Sequence, residues 1–247
     1  MDTFATFRGN DTEGFGVNNG TPIKERMSRD LMAAVIARRF PTGWLVNLGV
    51  GMPTLVGGYV HPDQEIIFTS ENGVIGYAGI ATGSDIDPDV VNAGVQFVTL
   101  QPGAAIVDHA TSFALIRRGM NDVTVLGAYE VSQDGSFANW RTSTGEWDNL
   151  GGIGGAMDLA ACAKRVWVMM EHTQRDGTPR LVERCTLPLT APSAVRMVFT
   201  DLGVFSVRDG QFVLEEHAPG WTAEEIQALT SAPLEISPTL SEVQFPA

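Results

Sequence analysis

Ser70-Glu71-Asn72-Gly73 sets one carboxylate at the end of an apolar, strand-like run, Gln64 to Thr69, just ahead of a glycine turn. The centre of that run, Ile66-Ile67-Phe68, is apolar on both faces, which predicts burial on both. The carboxyl end of such a strand is where open α/β sheets bind their ligands. Burial raises a carboxyl pKa, and an activated carboxylate serves as nucleophile, base or acid. For an isolated Glu before Asn-Gly a turn residue facing water is the better reading, so its meaning depends on the rest of the chain.

A second chemical signal is Leu150-Gly151-Gly152-Ile153-Gly154-Gly155-Ala156-Met157-Asp158, which leads into a short helix. Glycines that open a helix leave backbone N–H groups without intrahelical partners, suited to an oxyanion or a phosphate. The alternative is a tight left-handed turn that needs glycine for steric reasons. A third signal is the turn Gly49-Val50-Gly51-Met52-Pro53 after the apolar run Trp44 to Leu48, a strand–turn–helix pattern shared by anion-binding loops and by plain packing turns. His61, His109, His172 and His217 show no metal-binding spacing, so no metal is expected. His172, beside Glu171 at a strand end, reads as a structural, hydrogen-bonded histidine.

The elements that must position these groups alternate between strand and helix. Ser28 caps a helix running to about Phe40, stopped by Pro41. Strands are expected over Trp44 to Leu48, Phe97 to Leu100, Val123 to Tyr129 and Val166 to Met170, with helices over His109 to Arg118 and Leu159 to Lys164. The glycine-rich stretch Gly73 to Pro88 reads as a functional loop, and Pro102-Gly103 as a turn. Further strands are expected at 196–200, 203–207 and 212–214, and Thr222 to Glu225 fits a capping box. This order predicts an α/β domain with an open, mostly parallel sheet flanked by helices, spanning 23–247, with residues 1–22 as a mobile arm.

A net charge of −13, with Lys and Arg scattered, makes nucleic acid and anionic membranes poor partners. No run approaches the roughly 18 apolar residues of a membrane span. Met1 to Gly20 lacks the pattern of a signal peptide. The two cysteines, Cys162 and Cys185, then read as reduced thiols in the cytoplasm.

Taken together, the chain resembles the β (B) subunit of class I coenzyme A transferases, the group that includes 3-oxoadipate and succinyl-CoA:3-oxoacid CoA-transferases. The resemblance runs from about Ile23 to Pro233. It is carried in order by Asn47-Leu48-Gly49-Val50-Gly51, Ser70-Glu71-Asn72-Gly73, Asn92-Ala93-Gly94, Ser112-Phe113-Ala114-Leu115-Ile116-Arg117, Ala138-Asn139-Trp140, Gly154-Gly155-Ala156-Met157-Asp158-Leu159 and Cys185-Thr186-Leu187-Pro188-Leu189-Thr190.

This resemblance implies a CoA-transferase-like fold and makes Glu71 the nucleophile, forming a glutamyl-CoA thioester. It implies that Gly154 and Gly155 contact the oxyanion or the thioester, and it sets Asn47, Gly49, Gly51, Asn72, Asn92 and Gly94 near substrate or CoA. CoA is then a substrate and covalent intermediate, with no permanently bound cofactor. The implied partner is an α subunit, as a heterodimer or α2β2; the substrates are an acyl-CoA such as succinyl-CoA and a short carboxylic acid, 3-oxoadipate being the favoured acceptor. Three positions depart from the family pattern: Val95 where many relatives place a lysine, Met120 where a histidine is usual, and the loop Arg141 to Asn149, which lacks Pro-Gly-Lys. A hydrolase on the same scaffold and a non-catalytic, partner-binding subunit are the competing readings.

Overall fold

The computed structural model describes the backbone of residues 17–18 and 21–22 and the whole of 24–142 and 152–244. The expected arm over 1–22 lies outside the described residues, apart from two short paired strands, β1 (Val17–Asn18) and β2 (Thr21–Pro22). Most of the 141–149 loop also lies outside them. The chain continues through α1 (Arg29–Ala37), β3 (Leu45–Leu48), β4 (Ile67–Thr69), β5 (Val74–Ile80), β6 (Val98–Ile106), α2 (His109–Arg117), β7 (Val123–Leu126), β8 (Glu130–Ser132) and β9 (Phe137–Ala138). It ends with α3 (Ala156–Cys162), β10 (Val166–Met169), β11 (Leu181–Val182), β12 (Val195–Thr200), β13 (Gly203–Arg208), β14 (Gln211–His217), α4 (Ala223–Ala228) and β15 (Leu234–Glu242).

Ten of these strands form one sheet in the order β15-β14-β13-β12-β10-β7-β3-β4-β5-β6. Its centre, β4-β3-β7-β10-β12, is parallel throughout. Antiparallel strands extend it on both sides, β5 and β6 next to β4, and β13 and β14 next to β12. The expected open, mostly parallel α/β sheet is therefore present, with antiparallel wings. A separate three-stranded sheet, β11-β8-β9, packs beside it.

Successive side chains of a strand point to opposite faces, and here each face has its own core. Trp167 and Met169 of β10 join the core formed with α1, while Val166 and Val168 join the one formed with α2 and α3. Phe40 stacks on Trp167 with ring centroids 5.5 Å apart. The helices start where side chains satisfy their free amides. Ser28 Oγ accepts from Leu31 N, Asp108 Oδ1 accepts from Thr111 N, and Thr222 with Glu225 forms the expected capping box.

Three segments differ from expectation. The 64–69 run yields only Ile67–Thr69 as strand, because Pro62–Gln64 is a 3-10 helix and Glu65 is left-handed at φ 49°. Ile66 and Phe68 are buried but Ile67 is 38% exposed, so β4 is covered fully on one face only. The stretch read as a loop, Gly73 to Pro88, contains β5, whose glycines masked its alternation. β6 runs straight through Pro102-Gly103. As the edge strand of the sheet it tolerates a residue that cannot donate to a ladder.

Candidate active site

Glu71 leaves the end of β4 in a tight turn: Ser70 N donates to Val74 O at 2.8 Å and Gly73 N to Ser70 O at 3.0 Å. Gly73 is at φ 118°, and a Cβ there would collide with the Val107 carbonyl, so the position requires glycine. The turn is tied to a neighbouring loop. Ala93 N donates to Ser70 Oγ at 2.8 Å, and Asn72 Nδ2 to Val91 O at 2.7 Å. Asn92 Oδ1 in turn accepts from Gly94 N and Gln96 N.

The half-buried Glu71 carboxylate faces the helix α3. A Cβ added to Gly155, the residue that caps α3, would sit 2.8 Å from Glu71 Cδ and 2.9 Å from Phe113 Cζ. Only glycine lets the carboxylate and the helix start approach this closely. Gly154 is left-handed at φ 54°. Among the described residues neither Gly154 N nor Gly155 N has a backbone acceptor, as the geometry of a helix start dictates.

Burial pushes the Glu71 carboxyl above the ordinary carboxylate range; His109 opposes the shift and Asp158 adds to it. His109 opens α2, its ring 4.7 Å from that of Phe113. Asp158 is held by Arg117 through Nε–Oδ1 at 2.9 Å and Nη2–Oδ2 at 3.2 Å. That pairing holds the Asp158 carboxyl below its usual value. These four residues were not anticipated as site residues. For three of them the signal was the spacing of four along α2, which sets His109, Phe113 and Arg117 on one face; Asp158 lies on α3.

A cavity of about 440 Å³ opens over Glu71, lined among others by Asn47, Gly49, Gly154 and Gly155. Asn47 is buried, its Nδ2 donating to Thr69 O and its Oδ1 accepting from Thr124 Oγ1, so it ties β3, β4 and β7 together. Gly49 N donates to Val125 O at 2.8 Å, and a Cβ there would press on Leu126 at 3.1 Å. Gly51, Asn72, Asn92 and Gly94 do not line the cavity, although their neighbours Val50, Ser70, Glu71 and Ala93 do. The side chains of Asn72 and Asn92 make local hydrogen bonds that hold these turns beside the cavity. Val95, between them and β6, is left-handed at φ 60° and 82% exposed.

His172 is fully buried, with Nδ1 3.0 Å from Thr200 Oγ1 and Nε2 2.9 Å from Thr230 Oγ1. Burial pushes it down to about 4, so it is a neutral structural group, as its sequence context indicated. Cys162 and Cys185 are free thiols. No helix among the described residues is long and apolar enough to cross a membrane. No group of three His, Cys, Asp or Glu side chains among them is placed to hold a metal.

Comparison with known proteins gives this geometry a family. Residues 29–229 match the profile described as coenzyme A transferase. The chain is 41% identical over 208 residues to the beta subunit of a probable coenzyme A transferase of Bacillus subtilis, covering 84% of this chain and 94% of that one. It is likewise 41% identical over 212 residues to the B subunit of the 3-oxoadipate CoA-transferase of Pseudomonas putida, covering 86% and 98%. Among solved structures, the acyl-CoA transferase YdiF apoenzyme of Escherichia coli O157:H7 superposes with a TM-score of 0.69 over 91% of this chain. At 21% identity that likeness speaks for the fold, and this chain spans only 44% of YdiF. The chain belongs to the coenzyme A transferase family, and the two relatives named above are beta or B subunits.

Proposed function

We propose that this chain is the catalytic subunit of a CoA-transferase that moves CoA from an acyl-CoA to a short carboxylic or 3-oxo acid through Glu71. The observation that carries the reading is the contact between the Glu71 carboxylate and Gly155 at the open start of α3, inside a cavity at the carboxyl ends of the parallel strands. A Glu71 oxygen attacks the thioester carbonyl and expels CoA thiolate, leaving a mixed anhydride. The thiolate then attacks Glu71 Cδ, releases the first acid and leaves a glutamyl-CoA thioester. The second acid's carboxylate attacks that carbon and expels the thiolate. The thiolate finally attacks the new acyl carbon and frees Glu71.

The residues fit each demand of this cycle. A carboxylate is a weak nucleophile, but its anhydride and thioester conserve the activation of the original acyl group. Its raised pKa reports partial removal from water, which would otherwise hydrolyse both intermediates. The Gly154 and Gly155 amides are suited to receive the oxyanion that develops at each attack. CoA is thus a substrate and covalent intermediate rather than a resident cofactor. Succinyl-CoA is the favoured donor and 3-oxoadipate the favoured acceptor, by likeness to the relatives. The partner is an α subunit, as a heterodimer or α2β2, in a reducing cytoplasm that suits the two free thiols.

The test is turnover of the co-expressed αβ complex carrying Glu71→Ala or Glu71→Asp. Both variants are expected to assemble and to lose transfer, since shortening by one methylene withdraws the carboxylate from near-contact geometry. Substantial turnover in Glu71→Ala would end the assignment.

A further inference from the structure

Only two of the described residues lining the Glu71 cavity carry a formal charge at neutral pH: Glu71 itself and Arg180. Arg180 has no carboxylate within ion-pair distance among the described residues. Its side chain makes one hydrogen bond, Nη1 to the Ala128 carbonyl at 3.3 Å. Its Nε is buried without a partner. Buried polar nitrogens are almost always paired, so a guanidinium with a free buried Nε and no carboxylate partner in a cavity is open to an anionic ligand.

The backbone around Arg180 is fixed. Its N donates to the His172 carbonyl and its O accepts from Val131 N, each at 3.0 Å. It enters β11, and the pairing of β11 with β8 and of β8 with β9 brings Arg180, Tyr129 and Asn139 to one end of the small sheet. All three line the cavity, as does Trp140. One residue further on, Arg141 also buries Nε and Nη2 without partners. Arg180 is absent from the charges that move the Glu71 pKa, which are His109 and Asp158. The cavity therefore presents its nucleophile from β4 and its free cation from the other sheet.

We propose that Arg180 docks the distal carboxylate of a dicarboxylic substrate whose other carboxyl end reacts at Glu71. The planar guanidinium matches a carboxylate with two parallel hydrogen bonds, which an acid lacking the second carboxylate forgoes. The inference rests on Glu71 being the reacting group, as proposed above, and it selects diacids over monoacids as substrates.

The experiment compares adipate with hexanoate, equal in chain length and different by one carboxylate, by calorimetric binding to the αβ complex. Wild type is expected to prefer adipate. Arg180→Gln, which keeps a donor for the Ala128 carbonyl, is expected to weaken adipate roughly 10- to 100-fold and to leave hexanoate and CoA within about threefold. Arg180→Lys, which keeps the charge without the fork, is expected to fall between. A wild type without preference, or a Gln variant that weakens both acids equally, would overturn the proposal. Loss of CoA affinity in step with adipate would do so too, because the anion would then be a CoA phosphate. Binding needs no chemistry, so the preference is read whether or not Glu71 proves to be the nucleophile.

Discussion

Glu71 and His109 act on one titration. The nucleophile role proposed for Glu71 requires its ionised form, and burial sets its pKa above the usual carboxylate value while His109 pulls it down. His109→Gln is therefore expected to move the acid limb of the kcat/KM profile to higher pH, with activity on the alkaline side largely kept. An unchanged limb would remove His109 from the site. The same burial makes ionised Glu71 a cost to the fold. A carboxyl whose folded pKa is raised favours folding below its unfolded pKa, and that contribution is lost as pH rises through the folded pKa. Glu71→Gln is expected to raise Tm at neutral pH while abolishing transfer, and to lose that gain below about pH 4, where the carboxylate is protonated in both states. Thermal melts at the two pH values check this.

Among the elements, the turn after β4 is the joint on which the site depends. Gly73 occupies a left-handed φ with the Val107 carbonyl where a Cβ would be. Gly73→Ala is expected to cost about 2 kcal/mol or more, because the clash is with backbone that cannot rotate away. It is also expected to lower kcat by displacing Glu71; a melt within 1 °C of wild type, roughly 0.5 kcal/mol for a domain of this size, would contradict the account. This scale shows what was legible in sequence. Ser70-Glu71-Asn72-Gly73 and Gly154-Gly155 were visible as local patterns, and the structure brings them into contact across some eighty residues of chain. The contact itself was not visible, since nothing local in either motif encodes the packing of α3 on the β4 turn. Asn72 and Asn92 were visible as candidate contacts, and the hydrogen bonds by which they hold the turns beside Glu71 were not. Arg180 was invisible because its meaning is an absence, a guanidinium without a carboxylate, which only the fold reveals.

At the scale of the whole molecule, acid stability is set in part by His172, buried between β12 and the residues after α4. Its pKa is lowered to about 4 in the fold, chiefly by burial, from an ordinary value of 6.5. The unfolded chain thus binds a proton that the native state refuses between these values. Stability is full above about pH 6.5 and falls as pH drops through the window, by up to about 1.4 kcal/mol per pH unit. Denaturant melts from pH 7 to pH 4 are expected to show this slope, and His172→Gln to flatten it. The sheet order was only partly legible. The central parallel strands are largely apolar and were read as strands, whereas β5 was read as a loop, β6 was read only up to Leu100, before its Pro102-Gly103, and β15 went unread.

The account's central claim is that CoA becomes covalently attached to Glu71. Peptide mass spectrometry of the co-expressed αβ complex, incubated with succinyl-CoA in the absence of acceptor, tests it most directly. The predicted result is a CoA adduct on the Glu71 peptide that borohydride converts to the reduced alcohol. Release of CoA with no adduct on that peptide would contradict the claim and point to hydrolysis on the same scaffold.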